Sequence, residues 1–395
     1  MGSSPSKKYG AAEAPVQPPP KANKKYTAKK AIRVSSARLG AAVYEELYED
    51  ADPAEVLGRG RLGDVALARG RGDRAGEAFA VRTLTTTNSS IEDMRRQMVV
   101  FEKLQREIHC DWLVPIASCC LGRGDEPRAR VVFKRCAGEF LEVLSSEPHR
   151  STFTEAAARD VVRKLATVLR KCHEAGFAHR QVRAEHVLAA EGGGGPPSPR
   201  LGGWGLAAPT DPEADDANVP DALNLAADLV YCAPELAGGG GRDDDDARRL
   251  RTHGGLDVWA LGVFFHVLLF GKGPLFDVDD ARCEDRAGVE RRLAEAARRG
   301  GSLFSENVAG PIADLVSDEG KRLLADMLIV DPDYRPTCAA LLATPYLKGE
   351  TRLPAETLST AHVAAFVKRR RKKAAAAPRV VQVKARDQET KEEAP

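Results

Sequence analysis

The sequence has no C-x-x-C pair, no apolar run long enough to span a membrane and almost no net charge, and each absence removes a class of protein. Its eight cysteines (Cys110, Cys119, Cys120, Cys136, Cys172, Cys232, Cys283 and Cys338) are scattered, which argues against a zinc site or a disulfide framework and fits a reducing compartment. The longest apolar stretch, 258–270, is interrupted by Gly262 and His266 and falls short of the ~18 residues of a transmembrane helix; it reads as a buried core helix. The N-terminus lacks the apolar stretch of a secretory signal, so a cytoplasmic protein is expected. Lys plus Arg number 59 against 57 Asp plus Glu, a net of +2. The balance hides a split: residues 1–40 carry nine basic groups against one acidic, residues 351–395 eleven against five, and the middle carries the compensating −12. An acidic body between basic tails is not a nucleic-acid-binding composition.

What is present is a 43% hydrophobic chain of 395 residues, enough for two domains or one large two-lobed unit. Residues 1–40, rich in Pro, Lys, Ala and Ser, read as a disordered basic tail. Strand patterns follow at 55–57, 64–69 and 78–84, a helix at 91–108 and a strand at 131–134. From Thr154 the period becomes helical, with a Thr cap and a stop before Gly176. The stretches 192–199 and 238–255, the latter with the Asp243–Asp246 run, read as solvated loops. A β-rich first part before a helical second part gives an α+β unit of two lobes.

Between two strand patterns lies Leu57-Gly58-Arg59-Gly60-Arg61-Leu62-Gly63-Asp64-Val65, a complete G-x-G-x-x-G-x-V. Its flanking strands argue against a dinucleotide-binding fold, where such a loop opens a helix. Ala80-Val81-Arg82 follows seventeen residues after Val65, then His179-Arg180-Gln181-Val182-Arg183-Ala184-Glu185-His186-Val187-Leu188, Gly203-Trp204-Gly205, Tyr231-Cys232-Ala233-Pro234-Glu235, Asp257-Val258-Trp259 and Asp331-Pro332-Asp333-Tyr334-Arg335-Pro336. In order and spacing these resemble the eukaryotic protein kinase motifs. The resemblance covers about residues 50–347, with a small β-rich N-lobe at about 50–133 and a larger helical C-lobe at about 138–347. Cys172-His173-Glu174-Ala175-Gly176-Phe177-Ala178-His179 and the 262–271 segment resemble the calcium- and calmodulin-dependent group. No D-x-[DN]-x-[DN]-G calcium loop occurs in the sequence.

The resemblance implies an ATP cleft formed by Gly58, Gly60, Gly63, Val65, Ala80, Arg82 and Leu188, with Val65, Ala80 and Leu188 around the adenine. It also implies architectural roles for His179 and Arg180, for Asp257 as anchor of the catalytic loop, and for a buried Glu235–Arg335 pair. The charged catalytic positions depart from the family. Arg82 stands where the phosphate-binding Lys belongs, and its planar fork is not equivalent to an ammonium. Gln181 replaces the base, Arg183 stands at the loop's Lys position, His186 replaces a metal-binding Asn and Gly203 the metal-binding Asp. Counting back eight residues from His109 places Phe101 where the Lys-pairing Glu belongs, with Glu102 one residue away. Trp204 is expected to fill space between the lobes. Between Asp211 and Glu235 there is no Ser or Thr, and Asp228 stands where a Thr would face the loop.

These features lead to a pseudokinase: a scaffold or allosteric regulator in signalling that retains weak ATP binding without magnesium and needs no metal. An active atypical Ser/Thr kinase and a calmodulin-responsive adaptor are the alternatives. Met1-Gly2-Ser3-Ser4-Pro5-Ser6 fits an N-myristoylation signal at Gly2, and the adjoining lysines supply the second element of membrane attachment. Residues 358–373 read as a short helix with apolar Leu358, Val363, Phe366 and Val367 and a basic run, Arg369-Arg370-Arg371-Lys372-Lys373. It is of the calmodulin-target type, and a nuclear-localisation or acidic-lipid patch explains the run equally well. Expected partners are a signalling protein such as an active kinase, calmodulin, or an anionic membrane surface. The charge split further implies that basic tails and acidic body attract each other.

Overall fold

The computed structural model describes residues 44–59, 63–85, 89–121, 128–146, 149, 152–192, 196–210, 229–237, 254–275, 286–299 and 313–376. Gly2, Gly60, Asp228, the Asp243–Asp246 run and the 1–40 tail lie outside these residues.

The first half builds one antiparallel sheet. Strands β1 (Tyr48–Asp50), β2 (Val56–Gly58), β3 (Val65–Gly70), β4 (Ala78–Thr85), β5 (Ile116–Leu121) and β6 (Arg128–Lys134) lie in the order β1-β3-β4-β6-β5, with β2 on β3. Strand β4 buries Phe79 and Val81 on one face and Leu84 on the other. The sheet begins earlier than residue 50: helix α1 (Tyr44–Leu47) and β1 add Tyr44 and Tyr48 to a small core with Phe79, Val81 and Val132. The stacked rings of Tyr44 and Tyr48, 5.5 Å apart, need this long-range contact, which no local period displays.

Helix α2 (Ile91–Glu107) crosses the sheet. Ser90 caps it by accepting from the Asp93 amide at 3.0 Å, and Met94, Met98, Phe101 and Leu104 form its buried stripe. The second half is helical. After α3 (Phe140–Ser145), helix α4 (Glu155–Glu174) starts at the Thr154 cap and buries Val161, Val162, Leu165, Val168, Leu169 and Cys172. Helix α5 (Gly255–Phe270) is buried on all sides, as expected of a helix that is apolar all round apart from Asp257 and His266. Around it lie α6 (Arg286–Arg299), α7 (Asp318–Met327), α8 (Cys338–Leu342) and α9 (Pro345–Lys348).

The 351–395 segment read as a tail is part of this body as far as residue 376. Helix α10 (Ala361–Ala376) packs on α3 and α5, and Leu358, Val363, Phe366 and Val367 join the main core. Phe366 is fully buried. Three large apolar groups on a helix with a basic second half, with Leu358 just before it, are too few to stand alone, and their burial depends on a groove made by residues far away in sequence. Among the described residues, no helix is long and apolar enough to cross a membrane.

Candidate functional site

The loop between β8 (Phe177–Ala178) and β9 (Val187–Ala189) is held from beneath by one buried carboxylate. Asp257 accepts from the His179 amide at 2.7 Å, from the Arg180 amide at 2.6 Å and from His173 Nε2 at 2.8 Å. Its carboxyl is held below the usual range because these donors outweigh the burial that would raise it. The Gln181 amide donates to His179 Nδ1 at 3.1 Å, which leaves Nε2–H to donate to the Gly202 carbonyl at 2.7 Å. Arg180 adopts φ 64, a left-handed conformation that costs a non-glycine residue roughly 1–2 kcal/mol. Trp204 is buried against this loop, its ring 4.2 Å from that of His179 and 6.0 Å from that of Phe177.

Glu235 and Arg335 form the expected buried pair, bidentate at 2.8 and 3.1 Å. Arg335 also donates to the carbonyls of Gly255, Ile329 and Val330, so its whole fork is satisfied.

In the cleft, Gly58 ends β2 and Gly63 turns the chain at φ 110 into Val65. Val65 lies opposite Arg82, and Ala80 opposite Leu67, in the β3–β4 register. Leu188 pairs with Glu139 of β7 (Gly138–Glu139) and with Arg200 of β10 (Pro199–Leu201). Val65, Ala80 and Leu188 remain partly exposed.

The helix partner of Arg82 differs from the sequence count. Phe101 is buried with its ring edge-on to Phe133 at 5.6 Å, and Glu102 pairs with Arg106 at 3.8 Å. The group whose charge reaches Arg82 is Arg96, one turn earlier, beside the fully buried Gln97. Burial, with Arg96 adding to it, lowers the Arg82 guanidinium to about 10. Arg96 donates to the Ala207 carbonyl at 2.8 Å and the Gly205 carbonyl at 3.2 Å. It thereby ties α2 to the segment after Gly203.

The metal-binding positions have a new occupant. Gly203 adopts φ 78, and a Cβ built on it would run into the ring of His186. That ring donates from Nδ1 to the Gln181 carbonyl at 2.7 Å. Burial holds its pKa well below the usual range, with Arg183 and His179 acting in the same direction, so it is neutral at pH 7. Magnesium needs several hard oxygen ligands; Gly203 offers no side chain and His186 an imidazole. The residues present do not fit the ion. Gln181 and Arg183 line a cavity of about 50 Å³ together with Tyr231, Cys232 and Ala233.

The side of the loop is covered by α10. Arg370 pairs with Glu139, with Glu185 at 3.3 Å and more distantly with Glu142. Glu185 also pairs with Arg183 at 3.5 Å, and Arg371 donates to Glu142 at 2.7 Å. Arg369 donates to the Gly271 carbonyl at 2.9 Å. The basic run thus lies on acidic groups of the body. Neither Arg96 nor the Glu139–Glu142–Glu185 cluster stood out in the sequence. The only signal for the cluster was the opposite charge of body and tail.

Among known proteins, the protein kinase domain family matches residues 52–347. Calcium-dependent protein kinase 3 of Oryza sativa subsp. japonica is 26% identical over 303 residues, covering 75% of this chain and 47% of that protein. Calcium-dependent protein kinase 10 of Arabidopsis thaliana is 27% identical over 307 residues, covering 75% and 48%. The chain spans about half the length of these curated relatives. With two lobes, a glycine-rich turn, a braced His179-Arg180 loop and a buried Glu235–Arg335 pair in family order, the chain belongs to the protein kinase domain family.

Proposed function

We propose that this protein is a kinase-fold signalling regulator without phosphotransfer, working through its surface and holding ATP weakly and without magnesium. The observation that supports this most directly is the ring of His186 in the side-chain space of Gly203, which removes two metal ligands together. Gln181 compounds it, because an amide cannot serve as a general base near neutral pH. Loss of such a base typically costs ~10²–10⁴ in rate, and loss of metal electrostatics costs more. The relatives are named for calcium dependence; with no calcium loop in these 395 residues, a calcium response would need a sensor outside them. Gly2 lipidation with the basic 1–40 segment would place the protein at the cytoplasmic face of an anionic membrane.

Transfer of labelled phosphate to generic substrates and to the protein itself, with magnesium and with manganese, tests the reading. No transfer above that of a sample denatured beforehand is expected. Robust autophosphorylation that disappears in Arg82→Ala would establish the rival, an active Ser/Thr kinase with displaced groups.

A further inference from the structure

Apart from the nucleotide cleft, a second cleft of about 600 Å³ opens between the C-terminal end of α2, the connection that follows it, strand β5 and helix α4. Small-molecule sites commonly measure ~300–1,000 Å³. Its floor is apolar: Leu104 and Ile108 of α2 and Leu113 are buried, and Trp112 and Ile116 pack half-buried against the core. Its walls are fixed by bonds within the chain. Lys171 Nζ donates to the His109 carbonyl at 2.8 Å, the Leu113 amide to the Cys110 carbonyl at 3.1 Å and the Leu201 amide to the Trp112 carbonyl at 2.7 Å. Gln105 Nε2 reaches the carbonyls of Ile116 and Ala117 at 3.4 Å. A cleft pinned in this way loses little freedom when a ligand enters.

We propose that this cleft binds a free organic monoanion with an apolar chain, of the type of a medium-chain carboxylate. The charges that line it decide the head group. Lys171 of α4 and Arg200 of β10 stand against the single carboxylate of Asp111, which leaves one positive charge for one negative charge. A dianionic phosphate would face Asp111 with its second charge uncompensated. Lys171 spends one of its three N–H donors on His109. Arg200 has no side-chain hydrogen bond or ion pair among the described residues, and its guanidinium fork offers two parallel donors to a carboxylate.

The apolar chain follows from the floor. Of the three tryptophans, Trp204 and Trp259 are buried and Trp112 is half-exposed. The guanidinium of Arg163 lies 5.9 Å from the centre of the Trp112 ring and helps to hold it in place. Covering Trp112 and Ile116 with an alkyl chain removes their remaining apolar surface from water. The lining comes from α2 and β5 of the sheet half and from α4 and β10 of the helical half, so a bound ligand touches both.

The test uses the full chain with undecanoate and its ω-bromo derivative. Bromine quenches indole fluorescence at short range, and Trp112 is the tryptophan it can reach. The bromo acid is expected to quench saturably, and Trp112→Phe to abolish the quenching while calorimetry still finds undecanoate bound. Arg200→Ala should weaken undecanoate about tenfold, the size of a lost charge-assisted hydrogen bond. Asp111→Asn should tighten it, and undecanol should bind about tenfold more weakly than the acid. Arg200 and Asp111 lie outside the core, so both variants fold, which their melting temperatures check. Quenching that does not saturate, undecanol binding as well as undecanoate, or unchanged affinity in Arg200→Ala would each overturn the proposal. Tighter binding of undecyl phosphate than of undecanoate would overturn the monoanion. Competition between undecanoate and self-association in sedimentation would give the cleft to a second copy of the chain, with the same consequence. None of these readouts depends on nucleotide binding or phosphate transfer.

Discussion

The imidazole of His186 fills the volume into which a side chain on Gly203 would project. The two positions are therefore complementary, large against absent. Restoring one ligand alone creates a clash at a left-handed backbone position. Gly203→Asp is expected to destabilise the protein by about 1–3 kcal/mol, and His186→Asn to leave a void. The double variant should recover much of the loss, a coupling of the size seen between contacting residues. Thermal unfolding of all four proteins gives the cycle; purely additive effects would show that the two positions are independent.

Nucleotide should bind with no metal dependence. A thermal-shift titration with ATP is expected to give the same small rise with and without magnesium, about 1.4 kcal/mol at ten times Kd. A shift that requires magnesium would contradict the absent ligand at Gly203, and no shift with either would mean a closed cleft.

Helix α10 should behave as core. Phe366→Ala is expected to cost about 3–5 kcal/mol. Arg370→Ala should cost less, about 1–3 kcal/mol, because the carboxylates it leaves at Glu139 and Glu185 are 21% and 31% exposed. Lys372→Ala should be neutral. Denaturant midpoints check the order. Calmodulin added to the folded protein should show no calcium-dependent association, since the apolar anchors face inward; tight binding to the native protein would show that the helix leaves its groove freely.

Two histidines, His266 buried and His173 half-buried, set opposite pH limits. His266 is lowered from 6.5 to about 4 by burial, so the unfolded chain binds the extra proton between those values. Its contribution is complete above pH 6.5 and is lost as pH falls towards 4. His173 is raised to about 10; the folded form holds the extra proton, and its contribution is complete below pH 6.5 and lost as pH rises towards 10. Melting temperature against pH should flatten on the acid side in His266→Leu and on the alkaline side in His173→Gln. Unchanged slopes would remove these groups as the cause.

The basic 1–40 segment should bind anionic vesicles when Gly2 carries its lipid. Co-sedimentation should fall in Gly2→Ala and at high salt. Equal sedimentation with neutral vesicles, insensitive to salt, would exclude a role for the lysines.

The motifs around His179, Glu235, Asp257 and Arg335 are legible in the sequence because each is a short string with fixed spacing inside rigid elements. The α2 partner of Arg82 is not. Counting from His109 starts beyond the helix, which ends at Glu107, and so includes a connection of unknown length. The result, Phe101, lies five residues past Arg96, the helix residue whose charge reaches Arg82. For α10 the obstacle is different. Val363, Phe366 and Val367 share one helical face, but whether such groups lie in water, lipid or core depends on a groove assembled from α3 and α5. A charge run is equally silent about direction, so nothing local distinguishes Arg370, which points into three glutamates, from its exposed neighbours.

The docking of α10 also sets an order of events in biosynthesis. Arg370 and Glu139 are 231 positions apart, and a ribosome adding ~5–20 residues per second separates their appearance by roughly ten to fifty seconds. From the completion of α5 at residue 270 until α10 emerges, the growing chain presents an acidic groove and the cavity destined for Phe366, with no helix to cover them. Closing so distant a contact adds little entropic cost beyond that of a shorter loop, but it cannot begin before the helix emerges. The emerging chain therefore carries an open apolar groove over the last part of that interval, a surface of the kind that chaperones hold, until the basic helix α10 seals it.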